Sequence, residues 1–483
     1  MCRIYLNDQT CGAGKTYNEL VHMVNNRGRY LLAVDRKEAM DDRTATIRSL
    51  SARLGKRVHV VQIKSGDDVA EYRDGDTTIR ISKAVRADVE AIPDRHDMQH
   101  VIVIITHEAL KLSDLAGFRR WALVIDETPS ILDQQKVVTT LSRSFLKKHY
   151  ALVRKGNRFE IKARSNATMA EFRRDSLTHP LTVMHGRVCS DRTAVLTETS
   201  SWDRLGKDGA WTWASIWSPD RLAVFERVTI LASAFKRSLT YEVMNWAWPE
   251  IEWVPHRRAA LRVYQPRKMT IRYFAEGHSA SRSLFSSEIG KQRLRDIADW
   301  IGSRTTPADH IWTCNEKDAF VMEGGITSPK RLRPRQAGSN AYASKTVVSA
   351  IYTAKPTPDE RRLFVDMGIG ASVAIETREF ETIFQFVARC AVRDPENSAD
   401  LMVHVYDREQ ADYLSELFGA SGYVTCALEL VDLGFATLPP IKGKPGRKPV
   451  TKSERENAAA TARKRELATA RKRRQRKRDL HLQ

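Results

Sequence analysis

Thr10-Cys11-Gly12-Ala13-Gly14-Lys15-Thr16 decides how this chain is read. These residues follow a short apolar stretch, Ile4-Tyr5-Leu6, and precede a helix-like run from Tyr17 to Val24, so they lie between a strand and a helix. A Gly-rich turn in that place lets backbone N–H groups close around phosphate oxygens, and the helix start adds partial positive charge. Lys15 is then placed to reach the β- and γ-phosphates of ATP, and the Thr16 hydroxyl to ligate Mg2+. The strict pattern has a glycine where this chain has Gln9, so the string taken alone reads equally as a Gly-rich turn with no ligand.

A second stretch changes that balance. The apolar run Trp121-Ala122-Leu123-Val124-Ile125 ends in Asp126-Glu127-Thr128-Pro129. Such a run suits a buried parallel strand, and α/β folds gather their ligands at the C-terminal ends of such strands. Asp126 is a candidate to hold Mg2+ and Glu127 to polarise an attacking water. Further strand-like runs end in polar residues: Tyr30 to Val34 before Asp35-Arg36-Lys37, Val101 to Ile105 before Thr106-His107-Glu108, and Val228 to Leu231 before Ala232-Ser233-Ala234. Strands alternating with helical stretches predict an α/β fold with a doubly wound parallel sheet, its polar ends collected beside the phosphate loop.

This order of motifs resembles the first motor domain of superfamily 2 helicases, the DEAD/DEAH-like group of P-loop NTPases. Thr10 to Thr16 looks like motif I, and Asp126 to Pro129 like the DExx box. Ile105 to Leu110 is similar to the segment that grips the nucleic-acid backbone, which implies phosphate contacts for Thr106 and His107. Ala232-Ser233-Ala234 resembles the SAT motif, with Ser233 the residue that couples ATP state to nucleic acid. Read without the resemblance, Thr106 is a strand-end cap and Ser233 a buried hydroxyl with a partner.

Further on, Gln385, Arg389 and Arg393 stand four apart in a helix-like stretch, a spacing that puts all three on one helix face. The string is similar to motif VI with its second gap one residue longer. That implies an ATP contact for Gln385 and a charge-stabilising arginine finger at Arg393, with Arg389 beside it. Arg335 with Gly338-Ser339-Asn340 is a looser match to motif V. There are departures. Only three residues precede the first apolar stretch, leaving no room for an upstream adenine-reading Q motif, and motif II reads DETP. About a hundred residues separate Asp126 from Ser233, far more than one crossover needs, which predicts an insertion at about 135–222. Its tryptophans (Trp202, Trp211, Trp213, Trp217) suit either base stacking or a small core of the insertion's own.

The chain has 483 residues, 42% of them hydrophobic, enough for two to three domains. It contains no run of 18 apolar residues and no signal-peptide pattern, and its six cysteines lack metal spacing; a cytoplasmic protein with reduced thiols and no membrane partner is expected. The formal charge is +20, of which residues 442–483 carry +12. Within that segment Gly446-Arg447-Lys448-Pro449 is similar to the core of an AT-hook, in which Arg447 and Lys448 would meet the narrow minor groove of A·T-rich DNA.

The expected organisation is two RecA-like domains, at about 1–250 and 255–436, followed by a basic nucleic-acid-binding tail at 437–483. The resemblance implies an ATP-hydrolysing helicase or translocase that uses ATP and Mg2+ on nucleic acid, DNA favoured over RNA because of the tail. An alternative is an ATP-switched replication initiator or origin-binding protein of a mobile element such as a phage or plasmid. A third reading is a non-enzymatic basic binding protein with a decayed phosphate loop. The intact Lys15, Thr16, Asp126 and Glu127 speak against that third reading.

Overall fold

The computed structural model describes residues 3–10, 12–66, 70–82, 84–96, 100–138, 143–155, 158–164, 181–199, 202, 210–258, 263–334 and 341–438. Residues 1–438 form one compact unit. The basic tail with Arg447 and Lys448 lies outside the described residues, as do Cys11 and the motif V match at Arg335 to Asn340.

The fold is α/β and is built on two parallel sheets. Strands β1 (Arg3–Asn7), β2 (Arg29–Val34), β3 (His59–Ser65), β4 (Ala70–Asp74), β5 (Thr77–Ser82), β6 (Val101–Thr106) and β7 (Ala122–Asp126) belong to the first. The chain then leaves it for β8 (Leu132–Val138), β9 (Tyr150–Lys155), β10 (Arg158–Ala163), β11 (Thr193–Glu198) and β12 (Ala210–Trp217), before β13 (Arg227–Leu231) and β14 (Glu252–Pro255) return to it. The first sheet runs β14-β1-β13-β7-β2-β6-β3-β5-β4, parallel throughout except for the β4–β5 pair. Its central strands are unbroken apolar runs because helices cover both faces: Val101 to Ile105 and Leu123 to Asp126 are buried along their length. One strand, β13, lies between the phosphate-loop strand β1 and the acidic strand β7, which is the RecA-like order. Register levels their ends: Asn7 pairs with Leu231, and Leu231 with Asp126. Everything that follows these strands therefore emerges at one edge.

Strands β8 to β12 make a separate antiparallel sheet in the order β8-β12-β11-β10-β9. Trp202 and Trp213 are buried in its core with Leu146, Tyr150 and Met184, and Trp217 is buried against the main sheet, so these three rings serve packing.

The second parallel sheet has β15 (Arg267–Ala275), β16 (His310–Cys314), β17 (Val347–Ile351), β18 (Leu401–Asp407) and β19 (Val424–Leu430) in the order β16-β17-β18-β15-β19. The helix Glu288–Gly302 packs with it, capped by Ser287, whose side chain accepts from the Gly290 amide. The two lobes touch closely. Leu363 and Phe364 of the helix Pro358–Asp366 pack into the hydrophobic cluster of the first lobe. Asp366 pairs with Arg158 at 2.9 Å, and Arg237 bonds Glu376 at 2.9 Å and Glu416 at 2.7 Å.

Candidate active site

The phosphate loop leaves β1 at Asn7, whose side-chain oxygen accepts from the Gln9 amide at 3.3 Å. The turn depends on two glycines in the left-handed region, Gly12 at φ 86° and Gly14 at φ 73°. A side chain at Gly12 would also collide with the Tyr423 hydroxyl of the second lobe. Gly14 is the N-cap of helix α1 (Lys15–Asn25), and no side chain caps that end. Its N-terminus and positive dipole therefore face the loop. Lys15 Nζ donates to the carbonyls of Gln9 (2.6 Å) and Thr10 (3.0 Å) and to Ser233 Oγ (2.8 Å), and the Ala13 amide donates to the Thr10 carbonyl at 3.3 Å.

Across from the loop, Thr16 Oγ1 donates to Asp126 Oδ1 at 2.7 Å. Asp126 is buried, and its other oxygen accepts from Arg43 on helix α2 (Lys37–Leu54), 2.9 Å from Nε and 2.8 Å from a terminal guanidinium nitrogen. Glu127 holds φ 73°, a left-handed conformation that a non-glycine residue adopts at a cost of ~1–3 kcal/mol. Its amide donates to the Leu231 carbonyl at 2.9 Å, which fixes the bend. Burial, then the charges of Asp126 and Asp35, push the Glu127 carboxyl above its ordinary range, and Arg43 and Arg389 oppose that push. A strained, desolvated carboxylate at a strand end can serve as a general base.

The second lobe brings Gln385, Arg389 and Arg393 to the same cavity, of about 890 Å³, that Lys15, Thr16, Asp126, Glu127 and Ser233 line. The expectation of one helix face is corrected here. The helix Glu381–Val387 stops before either arginine, and Arg393 ends a separate short turn, Ala391–Arg393. Arg389 Nε donates to the Gln385 carbonyl at 3.2 Å, closing the helix end instead of continuing it. Glu381, one turn before Gln385, is a site residue the sequence reading missed. Its carboxyl accepts from Gln385 Nε2 at 2.7 Å and from the Tyr413 hydroxyl at 3.3 Å, and burial pushes it up to about 7, helped by the facing Glu127.

Two other expectations meet different surroundings. Thr106 is an N-cap, accepting from the Ala109 amide at 3.2 Å. His107 is buried and its Nε2 lies 3.1 Å from the Asp126 carbonyl; burial pushes its pKa down. Also missed were Arg43 and the segment after β17, where Tyr352, Ala354 and Lys355 line the cavity. Both left a signal. Arg43 interrupts the buried stripe Ala39, Met40, Thr44, Ile47 and Leu50, and Val347 to Ile351 is one more apolar run ending in polar residues.

No protein-family model matches the chain, and no curated protein does either. Among solved structures the chain is similar to an XPD helicase, at 8% identity over 89% of this chain and 96% of that one, with a TM-score of 0.49. It is similar to S. tokodaii Xpd4 at 11% identity, covering 88% and 96%, with a TM-score of 0.46. For S. cerevisiae Dbp5 bound to RNA and ADP BeF3 the identity is 10%, the coverage 90% and 86%, and the TM-score 0.35.

Proposed function

We propose that the chain is a nucleic-acid-dependent ATPase, a helicase or translocase that acts on DNA in preference to RNA. The observation that supports this reading is one cavity lined from both sides: Lys15, Thr16, Asp126 and Glu127 from the first lobe, Arg389 and Arg393 from the second. Lys15 and the start of α1 neutralise the phosphates. Thr16 and Asp126 offer a hydroxyl and a carboxylate 2.7 Å apart, hard oxygens that fit Mg2+. That ion, when bound, supplies charge for the β- and γ-phosphate oxygens. Glu127 takes the proton of the attacking water, and its raised pKa brings it nearer the working pH of a base.

Arg389 and Arg393 stabilise charge on the transferring group, the role of an arginine finger. Because they belong to the second lobe, hydrolysis is sensitive to how the lobes meet. Ser233 holds Lys15 directly and so relays the state of the phosphate loop to the segment that follows β13. In this reading residues of about 1–250 and 255–436 are the two motor units, and the basic tail at 437–483 adds grip on phosphates, with Arg447 and Lys448 favouring A·T-rich DNA. The test is strand displacement on a partial duplex with ATP. Displacement of the shorter strand is expected. Tight duplex binding with ATP turnover but no displacement or movement would favour the initiator instead.

A further inference from the structure

Asp126 has both carboxylate oxygens taken by protein donors. Oδ1 accepts from Thr16, and Oδ2 accepts two guanidinium nitrogens of Arg43, at 2.9 and 2.8 Å. The pair is enclosed, with side chains 13% and 4% exposed. Arg43 sits on the apolar stripe of α2, where a hydrophobic side chain would serve stability at least as well as a buried ion pair. A guanidinium carries its charge at every working pH. Arg43 is therefore a permanent cation on the carboxylate that, with Thr16, would hold a divalent ion. Mg2+ and Arg43 repel each other at that range and compete for the same carboxylate. Arg43, and Arg393 of the second lobe, line the same cavity as Asp126.

We propose that Arg43 is a positioning residue that neutralises Asp126 and competes with Mg2+ for that carboxylate. The inference rests on the nucleotide site proposed above and names how that site is regulated. Arg43 neutralises Asp126 when no metal is present, so nucleotide can enter without meeting an uncompensated carboxylate. Metal-loaded nucleotide is held more tightly as Arg43 loosens its hold on Asp126.

The experiment titrates Mg2+ against binding of a fluorescent, non-hydrolysable ATP analogue to the full chain, for the wild type, Arg43→Gln and Arg43→Lys. In Arg43→Gln the half-saturating Mg2+ concentration should fall at least roughly tenfold, the factor implied by the weak end of measured close-charge couplings. In EDTA the same variant should bind the analogue more weakly than the wild type. A merely structural role would weaken binding in both conditions. Arg43→Lys keeps the buried charge with fewer aligned donors, so it should shift both quantities in the same directions by less, and it carries the test if the glutamine variant does not fold. Mg2+ dependence unchanged or increased in the folded variants would overturn the competition while leaving the nucleotide site standing. A wild type that binds no analogue at any Mg2+ concentration would overturn both.

Discussion

Lys15 Nζ donates to Ser233 Oγ at 2.8 Å, joining the phosphate loop to the end of β13 across 218 residues of sequence. Two backbone carbonyls hold the same ammonium, so Ser233→Ala should leave the loop folded. A hydrogen bond to a charged donor is worth ~1.5–3 kcal/mol, so nucleic-acid-stimulated turnover should drop roughly tenfold or more. Binding of nucleic acid without ATP should be retained. Stimulation equal to that of the wild type would remove Ser233 from the coupling.

Glu127→Gln should bind ATP and hydrolyse it ~10²–10⁴-fold more slowly, the range for a positioned general base. Glutamine keeps the size and loses the basic oxygen. Because the lobes share the cavity, the ATP-loaded variant should hold nucleic acid more tightly than the nucleotide-free one. ATP-independent affinity in this variant would contradict closure of the lobes on both ligands. In the wild type the acidic limb of kcat/KM should lie above the ordinary glutamate range, since burial raises the Glu127 carboxyl.

Acid should destabilise the second lobe through a buried chain of side chains. Ser349 Oγ lies 2.9 Å from His310 Nε2 and 2.8 Å from His404 Nδ1, across three neighbouring strands. Burial pushes His310 down to about 4; burial, then the charges of His310 and Arg272, push His404 down to about 3. Unfolding restores the ordinary value of 6.5, so the unfolded chain binds more protons below that pH. The stability that comes from holding these rings neutral is complete above pH 6.5 and is lost toward the folded values as pH falls. Each ring costs roughly 1.4 kcal/mol per pH unit in that window. Urea midpoints followed by circular dichroism should fall steadily from pH 6.5 to 5, and His404→Asn should lessen the slope. Parallel slopes for variant and wild type would exclude His404 as a source.

Much of the first lobe was legible because its strands are doubly buried and therefore continuous in sequence. Tyr30 to Val34, Val101 to Ile105 and Val228 to Leu231 each read as an apolar run with a polar end, and each is a strand of the parallel sheet. Local pattern failed where a long-range contact decides. The Gln385–Arg389–Arg393 spacing has helical periodicity, but the Ala391 amide is drawn to the Lys345 carbonyl and Arg389 folds back on Gln385, so the helix ends. The phosphate contact that the resemblance implied for His107 gave no hint that its ring closes on the Asp126 carbonyl, a contact between strands that local sequence does not encode. Arg43 was hidden because its partner lies 83 residues away.

Deleting residues 440–483 should weaken nucleic-acid binding and flatten its salt dependence, because that segment carries most of the net positive charge and little apolar material. If about six phosphates are contacted, the slope of log affinity against log salt should fall by roughly five units on duplex DNA. Turnover at saturating nucleic acid should persist, since no candidate residue of the ATP site lies within 440–483. Unchanged affinity and slope would assign the tail to some other task. Arg447→Ala should reduce the preference for A·T-rich duplex more than overall binding; equal losses on A·T-rich and G·C-rich DNA would leave a sequence-blind arm.

The most direct measurement is steady-state ATP hydrolysis by the full chain, alone and with single-stranded DNA, duplex DNA or RNA, beside Lys15→Ala. Lys15 supplies the charge that neutralises the β- and γ-phosphates during transfer. The expected result is turnover that rises with nucleic acid, most with DNA, and that Lys15→Ala abolishes while nucleotide-free nucleic-acid binding remains. Hydrolysis that nucleic acid leaves unchanged, or that survives Lys15→Ala at a near-normal rate, would contradict a nucleic-acid-dependent ATPase built on this loop.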